Sequence, residues 1–425
     1  MEQKFYPQVG ETLYQGKLPC GLSVAVLPRP GFTKKLCYFV ADFGAIHTEF
    51  TMDGETYSVP AGVAHYLEHK LFDMPGRDVV EEFSALGAVP NAFTGYDMTA
   101  YYFSCTEHFY ENLRLLLEFV TTPYFTEESV AKEQGIIGQE IGMNTDSPEN
   151  RLFELLMGAM YEKHPIRTPI LGTKESIAQI TPKVLTDCHR AFYRPENMLL
   201  CVVGDVDADE IGKIAQDMLK DIPSPQVTAV RCWDEELTVS TRLVDLQMEV
   251  AMPMFHLGFK SEPLPNGAEG VRREIIGDLA AEALFGESSE LYLQLYEQGL
   301  IDASFGGGFE TVEGMAMLTC TGDSEDPKAV QEAILAQAKV LAETGVSEAD
   351  FLRMKRSALG RRIRNMDSFD STCFRICAYH FSKFDYFCIP DIYGQVTREE
   401  IQQFIQTAIT PDNMCMAVIY PKEDT

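Results

Sequence analysis

Two stretches of this chain share one pattern, half a chain apart. Residues 188–205 read CHRAFYRPENMLLCVVGD and residues 404–421 read FIQTAITPDNMCMAVIYP. Each is a helical pattern, then Pro-acid-Asn-Met, then an apolar strand. Pro195-Glu196-Asn197-Met198 and Pro411-Asp412-Asn413-Met414 lie 216 positions apart. Self-similarity at that period implies one unit of roughly 210 residues used twice. The expected boundary is residues 222–234, IPSPQVTAVRCWD, which has two prolines and follows a helix ending near Lys220. Within the first unit, GLSVAVLPR and KLCYFVADFG read as strands, rich in β-branched and aromatic residues. Helical patterns follow near 61–73, 78–86, 107–121 and 127–144. NAFTGYDMTAYYFSC reads as a strand pair turning near Gly95-Tyr96-Asp97. Strands interleaved with helices, with meander-like neighbours, give an α+β class.

Charge narrows the partners. With 64 acidic against 35 basic residues the formal charge is −29, which repels phosphate backbones and anionic membrane surfaces. Nucleic acid and membrane are therefore not expected as partners. The N-terminal MEQKFYPQVGETLYQGKL has no apolar core, so no signal peptide is expected. No run of 18 apolar residues exists, so no membrane span is expected. The 11 cysteines are odd in number and scattered from Cys20 to Cys415, as in a reduced, cytoplasmic protein. Cys373 and Cys377, four apart on an expected helix, read as a buried thiol pair rather than a metal site.

The chemistry is concentrated in AGVAHYLEHKLFD, which holds His65, Glu68 and His69. Positions i and i+4 of a helix share a face, so both imidazoles can reach one ion. Glu68 borders that face and can serve as general base toward a zinc-bound water. A His-x-x-acid-His string arises by chance in roughly 2% of chains of this composition. A surface histidine pair is the competing reading. A third ligand must come from elsewhere. The helical stretch EESVAKEQGIIGQEIGMNTDSP carries Glu133 and Glu140, seven apart and so projecting from nearly one face. Ile136, Ile137 and Ile141 give this helix an apolar side. One acid can ligate and the other can orient a histidine, and spacing does not say which.

His-x-x-Glu-His, followed some seventy residues later by a helical Glu, resembles the pitrilysin and mitochondrial processing peptidase family, the inverted zincins. HPIRTPILGTKESI and FYRPENMLLCVVGDVD resemble the stretch after the family's ligand helix, so the resemblance covers the whole chain. It implies two similar α/β-sandwich halves and a zinc metallopeptidase. It assigns His65, His69 and Glu140 to Zn2+, Glu68 to the base and Glu133 to the supporting shell. Residues 1–222 would then be the zinc-binding catalytic domain and 235–425 a homologous domain without metal ligands. The chain is most similar to short bacterial members associated with 5-aminopentanol modification of elongation factor P. NAFTGYDMTAYYF resembles the family's substrate-binding edge strand, which nominates Asn91, Ala92 and Phe93 as peptide contacts.

In the second half the metal positions become Asp278, Ala281 and Glu282, so no second zinc site is expected. GESSELYLQLYEQGLIDASFGGGFE departs from the family: Glu290 and Tyr296 stand where two arginines are usual, and Asp302 or Ala303 where a tyrosine is. The resemblance therefore implies a heterodimer in which a metal-free sister subunit supplies the Arg/Tyr pair and helps close a chamber. Gly306-Gly307-Gly308 reads as a strand bulge more than a flexible loop. The basic run FLRMKRSALGRRIRNM reads as a solvated face or salt-bridge partner, and His164 and His189 as structural histidines. Two readings compete. One is a zinc endopeptidase cleaving peptides or unfolded segments in a closed chamber. The other is a non-catalytic structural or maturation-factor subunit, against which the retention of all four key residues argues.

Overall fold

The computed structural model describes residues 1–422. The first sheet has seven strands: β1 (Glu2–Tyr6), β2 (Glu11–Lys17), β3 (Ser23–Pro28), β4 (Lys35–Ala41), β5 (Ala88–Thr94), β6 (Thr99–Cys105) and β7 (Met198–Gly204). Their order is β1-β2-β3-β7-β4-β6-β5. The second sheet has five: β8 (Leu243–Met248), β9 (Met254–Ser261), β10 (Gly306–Val312), β11 (Met315–Asp323) and β12 (Met414–Pro421), in the order β8-β12-β9-β11-β10. Each sheet contains one parallel pair, β3 with β7 and β8 with β12, and all other pairings are antiparallel. The run β3-β7-β4-β6-β5 is thus repeated as β8-β12-β9-β11-β10, and the duplication read from the sequence is a duplication of topology.

The repeated asparagine explains why the motif recurs. Asn197 Nδ2 donates to the carbonyls of Asp42 (3.1 Å) and Phe192 (3.0 Å). Asn413 Nδ2 donates to those of Lys260 and Ala408, both at 2.7 Å. In each half one amide thus joins the end of a helix to the end of a central strand. The Asn backbone completes the join, accepting from the Asp42 N–H at 3.0 Å and from the Lys260 N–H at 2.8 Å. A side-chain amide suits this join, because its one nitrogen offers two N–H donors and each carbonyl takes one.

Contacts divide the chain into two compact units. One comprises Met1–Ile141, Pro169–Val230 and Ile363–Cys388. The other comprises Gly142–Thr168, Arg231–Arg362 and the described residues from Ile389 onward. In the first unit, β7 is buried throughout and β4 nearly so. Helices α1 (Val63–Leu71), α2 (Phe109–Thr121) and α4 (Pro182–Phe192) share one apolar core with the sheet, and α7 (Phe369–Phe381) packs on β4 and β7. Cover on both faces accounts for the unbroken apolar runs LCYFVA and MLLCVV. Cys373 and Cys377 on α7 are buried, with the Cys373 sulfur 3.9 Å from that of Cys201 on β7. The remaining helices needed below are α3 (Glu127–Asp146), α5 (Ala268–Phe285) and α6 (Glu348–Asn365).

The glycine triplet departs from expectation. Gly306, Gly307 and Gly308 pair in unbroken register with Thr321, Cys320 and Thr319, so no bulge forms there. Close packing requires glycine at the middle position alone: a Cβ on Gly307 would stand 2.4 Å from the Phe285 ring and 2.5 Å from the Thr319 carbonyl, whereas one on Gly306 or Gly308 would meet nothing within 4 Å.

Candidate metal centre

Helix α1 begins after Gly62, whose φ of 90° is left-handed. A Cβ at that position would meet the Leu171 carbonyl oxygen at 2.5 Å, so glycine is required twice over. Every residue of the helix except His69 is buried. His65 and Glu68 are only 7% and 9% exposed, which disposes of the surface-histidine reading. Phe72, just past the helix end, packs against Phe119 and Tyr101 and fixes the helix on the core. Helix α3 is held beside it by Tyr66, whose hydroxyl donates to the Val130 carbonyl.

These two helices bring together the residues that the sequence separates. Nε2 of His65 lies 3.6 Å from one carboxylate oxygen of Glu140, and Nε2 of His69 lies 3.7 Å from the other. The three ligand atoms fall within 4.8 Å of one another, and no other triad of this kind occurs among the described residues. These separations are too long for hydrogen bonds. They approach the edges of a tetrahedron around zinc, where ligand atoms about 2.0–2.1 Å from the ion stand roughly 3.3–3.4 Å apart. His69 Nδ1 lies 2.9 Å from Glu133 Oε1. Donation of that proton to the carboxylate leaves the Nε2 lone pair directed at the shared point.

Charge points the same way. Among the described residues, Glu68, Glu133 and Glu140 have no Lys or Arg partner; Glu133 and Glu140 face only the two histidines. Three acids around two imidazoles call for a cation, and a divalent ion supplies it. Burial and the neighbouring His69 push His65 down to about 4, which keeps it neutral, the form that ligates. The Glu133 hydrogen bond raises His69 against the opposing effect of burial. Burial raises Glu68, and a 2.6 Å hydrogen bond from the Thr94 hydroxyl opposes that rise. The residues present therefore fit a zinc ion, with Glu68 at its side and Glu133 behind His69.

Asn91, Ala92 and Phe93 stand on β5, the outermost strand of the first sheet, paired on one side only with Tyr102, Tyr101 and Ala100. Asn91 is exposed, and Ala92 and Phe93 are half-buried. Thr94 closes this strand. Sequence reasoning passed over it, because 26 residues separate it from Glu68 and a hydroxyl carries no spacing signal.

In the second half, Asp278 and Glu282 lie on α5 and face arginines of α6. Arg362 pairs with Glu274 (3.0 Å) and Asp278 (2.9 Å), and Arg361 approaches Glu282 at 3.4 Å. Part of the basic run is thus a salt-bridge partner, and the positive charge there is covalent. His189 Nε2 donates to the Val120 carbonyl, and His164 contacts the Glu313 carbonyl and the Ile166 N–H, so both are structural.

Comparison with known proteins agrees with this geometry. Residues 55–174 match the insulinase (peptidase family M16) family and residues 179–358 the peptidase M16 inactive domain. The chain is 37% identical to YmfH of Bacillus subtilis, described as an uncharacterized zinc protease, over 98% of both chains. It is 30% identical to an M16-like peptidase of Alicyclobacillus acidocaldarius, whose crystal structure superposes with a TM-score of 0.92, covering 97% of this chain and 99% of that one. A protease from Helicobacter pylori shares the fold at a TM-score of 0.81 with 18% identity, covering 96% and 99%. No helix among the described residues is long and apolar enough to cross a membrane.

Proposed function

The chain belongs to the M16, or pitrilysin, family of zinc proteases, and from that premise we propose that it is a zinc metalloendopeptidase with Glu68 as its catalytic base. The observation that carries this reading is the meeting of His65 Nε2, His69 Nε2 and the Glu140 carboxylate, with Glu68 buried on the same helix. Zinc held there supplies Lewis acidity, polarising the scissile carbonyl and acidifying the attacking water. Glu68 accepts the water's proton and later returns it to the leaving amine. Glu133 holds the His69 ring and its tautomer. The outer edge of β5 receives the substrate as an added strand, with Asn91, Ala92 and Phe93 as its contacts.

The substrates are extended peptides or unfolded segments admitted to a closed chamber. A metal-free sister chain of the same family completes that chamber as a heterodimer and supplies the Arg/Tyr pair, because Glu290 and Tyr296 replace the usual arginines here. The work is cytoplasmic. Incubating the zinc-loaded chain, with and without the sister chain, against a peptide library tests both parts. Cuts lost in Glu68→Gln are expected, and they should be strongest in the mixture. Identical cutting by wild type and Glu68→Gln would remove Glu68 as the base. Full activity from the isolated chain would remove the heterodimer.

A further inference from the structure

The Thr94 hydroxyl donates to Oε2 of Glu68 at 2.6 Å, and among the described residues no other group hydrogen-bonds to that carboxylate. The donor is held rigidly. Thr94 pairs with Thr99 across the β5–β6 hairpin, and Gly95 N–H closes the turn on the Met98 carbonyl at 2.8 Å. The turn is clamped from outside, with the Ala45 and Ile46 N–H groups donating to the carbonyls of Gly95 (3.0 Å) and Tyr96 (2.9 Å). The clamp is tight enough that a Cβ on Gly44 would stand 2.6 Å from the Tyr96 backbone. The hydroxyl therefore approaches Glu68 from a fixed frame rather than from a mobile loop.

We propose that Thr94 is a positioning residue for the base, fixing the plane of the Glu68 carboxylate so that its other oxygen faces the water, and registering the base against the strand that receives the peptide. The inference rests on the peptidase reading above. With Oε2 engaged, Oε1 is the oxygen open to water. A water O–H bond breaks as Oε1–H forms, and the water oxygen bonds to the carbonyl carbon while the C=O π pair moves onto the carbonyl oxygen, to return as the C–N bond later cleaves. Then Oε1–H breaks, the amine N–H forms and the C–N bond cleaves, so that peptide and water become acid and amine with Glu68 regenerated. A terminal carboxylate torsion is broad and roughly two-fold. Without Thr94 the carboxylate plane would turn freely over that broad torsion, and the orientation that presents an oxygen to the water would be only part of the population. Because Thr94 ends the strand that carries Asn91–Phe93, base and peptide take their positions from one element.

The test is kinetic, on the full zinc-loaded chain with its sister subunit if activity requires it. The probe is an internally quenched peptide drawn from those that wild type cuts. Thr94→Val keeps the shape and removes the hydroxyl, and Thr94→Ser keeps the hydroxyl. A hydrogen bond to a charged group predicts a loss of about 10- to 100-fold in kcat for Thr94→Val. KM and bound zinc should be unchanged, and Thr94→Ser should stay within about threefold of wild type. Thr94→Ala replaces the valine variant should that one fail to fold. Equal loss in the valine and serine variants would mean a packing role and overturn the proposal, as would unchanged kcat in Thr94→Val while Glu68→Gln is inactive. An active Glu68→Gln would instead remove Glu68 as the base, and with it the proposed mechanism and this inference.

Discussion

Replacing Glu133 by glutamine isolates what the residue behind His69 contributes. The Glu133 side chain is 16% exposed and its Oε1 sits 2.9 Å from Nδ1 of His69, a well-formed bond to a carboxylate. Bonds to a charged acceptor contribute about 1.5–3 kcal/mol and neutral ones about 0.5–1.5. The exchange should therefore cost about 1–1.5 kcal/mol in the orientation and basicity of the imidazole. At about 1.4 kcal/mol per factor of ten, that is roughly a 5- to 12-fold rise in the zinc Kd. Glu133→Ala, which leaves Nδ1 without an acceptor, should reach the upper part of the 10- to 100-fold range for such partners. Competition with a fluorescent zinc chelator measures the Kd, and kcat at saturating zinc measures what remains. The account predicts that excess zinc restores Glu133→Gln. An unchanged Kd, or a kcat loss that zinc does not reverse in a folded protein, would refute the supporting role.

Arg362→Ala should cost about 1–3 kcal/mol, read by urea unfolding, because it removes the guanidinium that bridges the part-buried Glu274 and Asp278; Arg362→Ala with both acids neutralised should recover much of this. Asn413→Ala should cost about 2–4 kcal/mol, since it orphans the carbonyls of Lys260 and Ala408, and Asn197→Ala should cost less because Asn197 is half-buried. Burial holds His189 near 4, against about 6.5 unfolded. A lowered folded value means that the unfolded chain binds the proton first. The stability from neutral His189 is therefore complete above pH 6.5 and falls as pH drops toward 4, by about 3 kcal/mol. Denaturation followed across that window should flatten in His189→Gln.

The fold and the convergence of His65, His69 and Glu140 were legible for one physical reason: helical geometry and duplication both write fixed spacings into a chain. His65 and His69 must be four apart to share a face. The Pro-acid-Asn-Met motif recurs because an asparagine must bridge two carbonyls in each half. Where contacts depend on three-dimensional closeness alone, the sequence is silent. Thr94 meets Glu68 only because a clamped hairpin turns back over α1. Tyr66 looks like an ordinary core aromatic until its hydroxyl is seen to hold α3. The glycines at 306–308 suggested a bulge, yet the strand is regular and only Gly307 has a packing reason, the Phe285 ring pressed against it. The arginines of α6 read as a bare basic run, because nothing local shows that three acids of α5 await them.

The central claim is a single ion shared by α1 and α3, and anomalous diffraction at the zinc edge from crystals of the zinc-loaded protein tests it most directly. The account predicts one strong peak within about 2.0–2.2 Å of His65 Nε2, His69 Nε2 and a Glu140 oxygen. No peak between these side chains, or one ligated without Glu140, would contradict it.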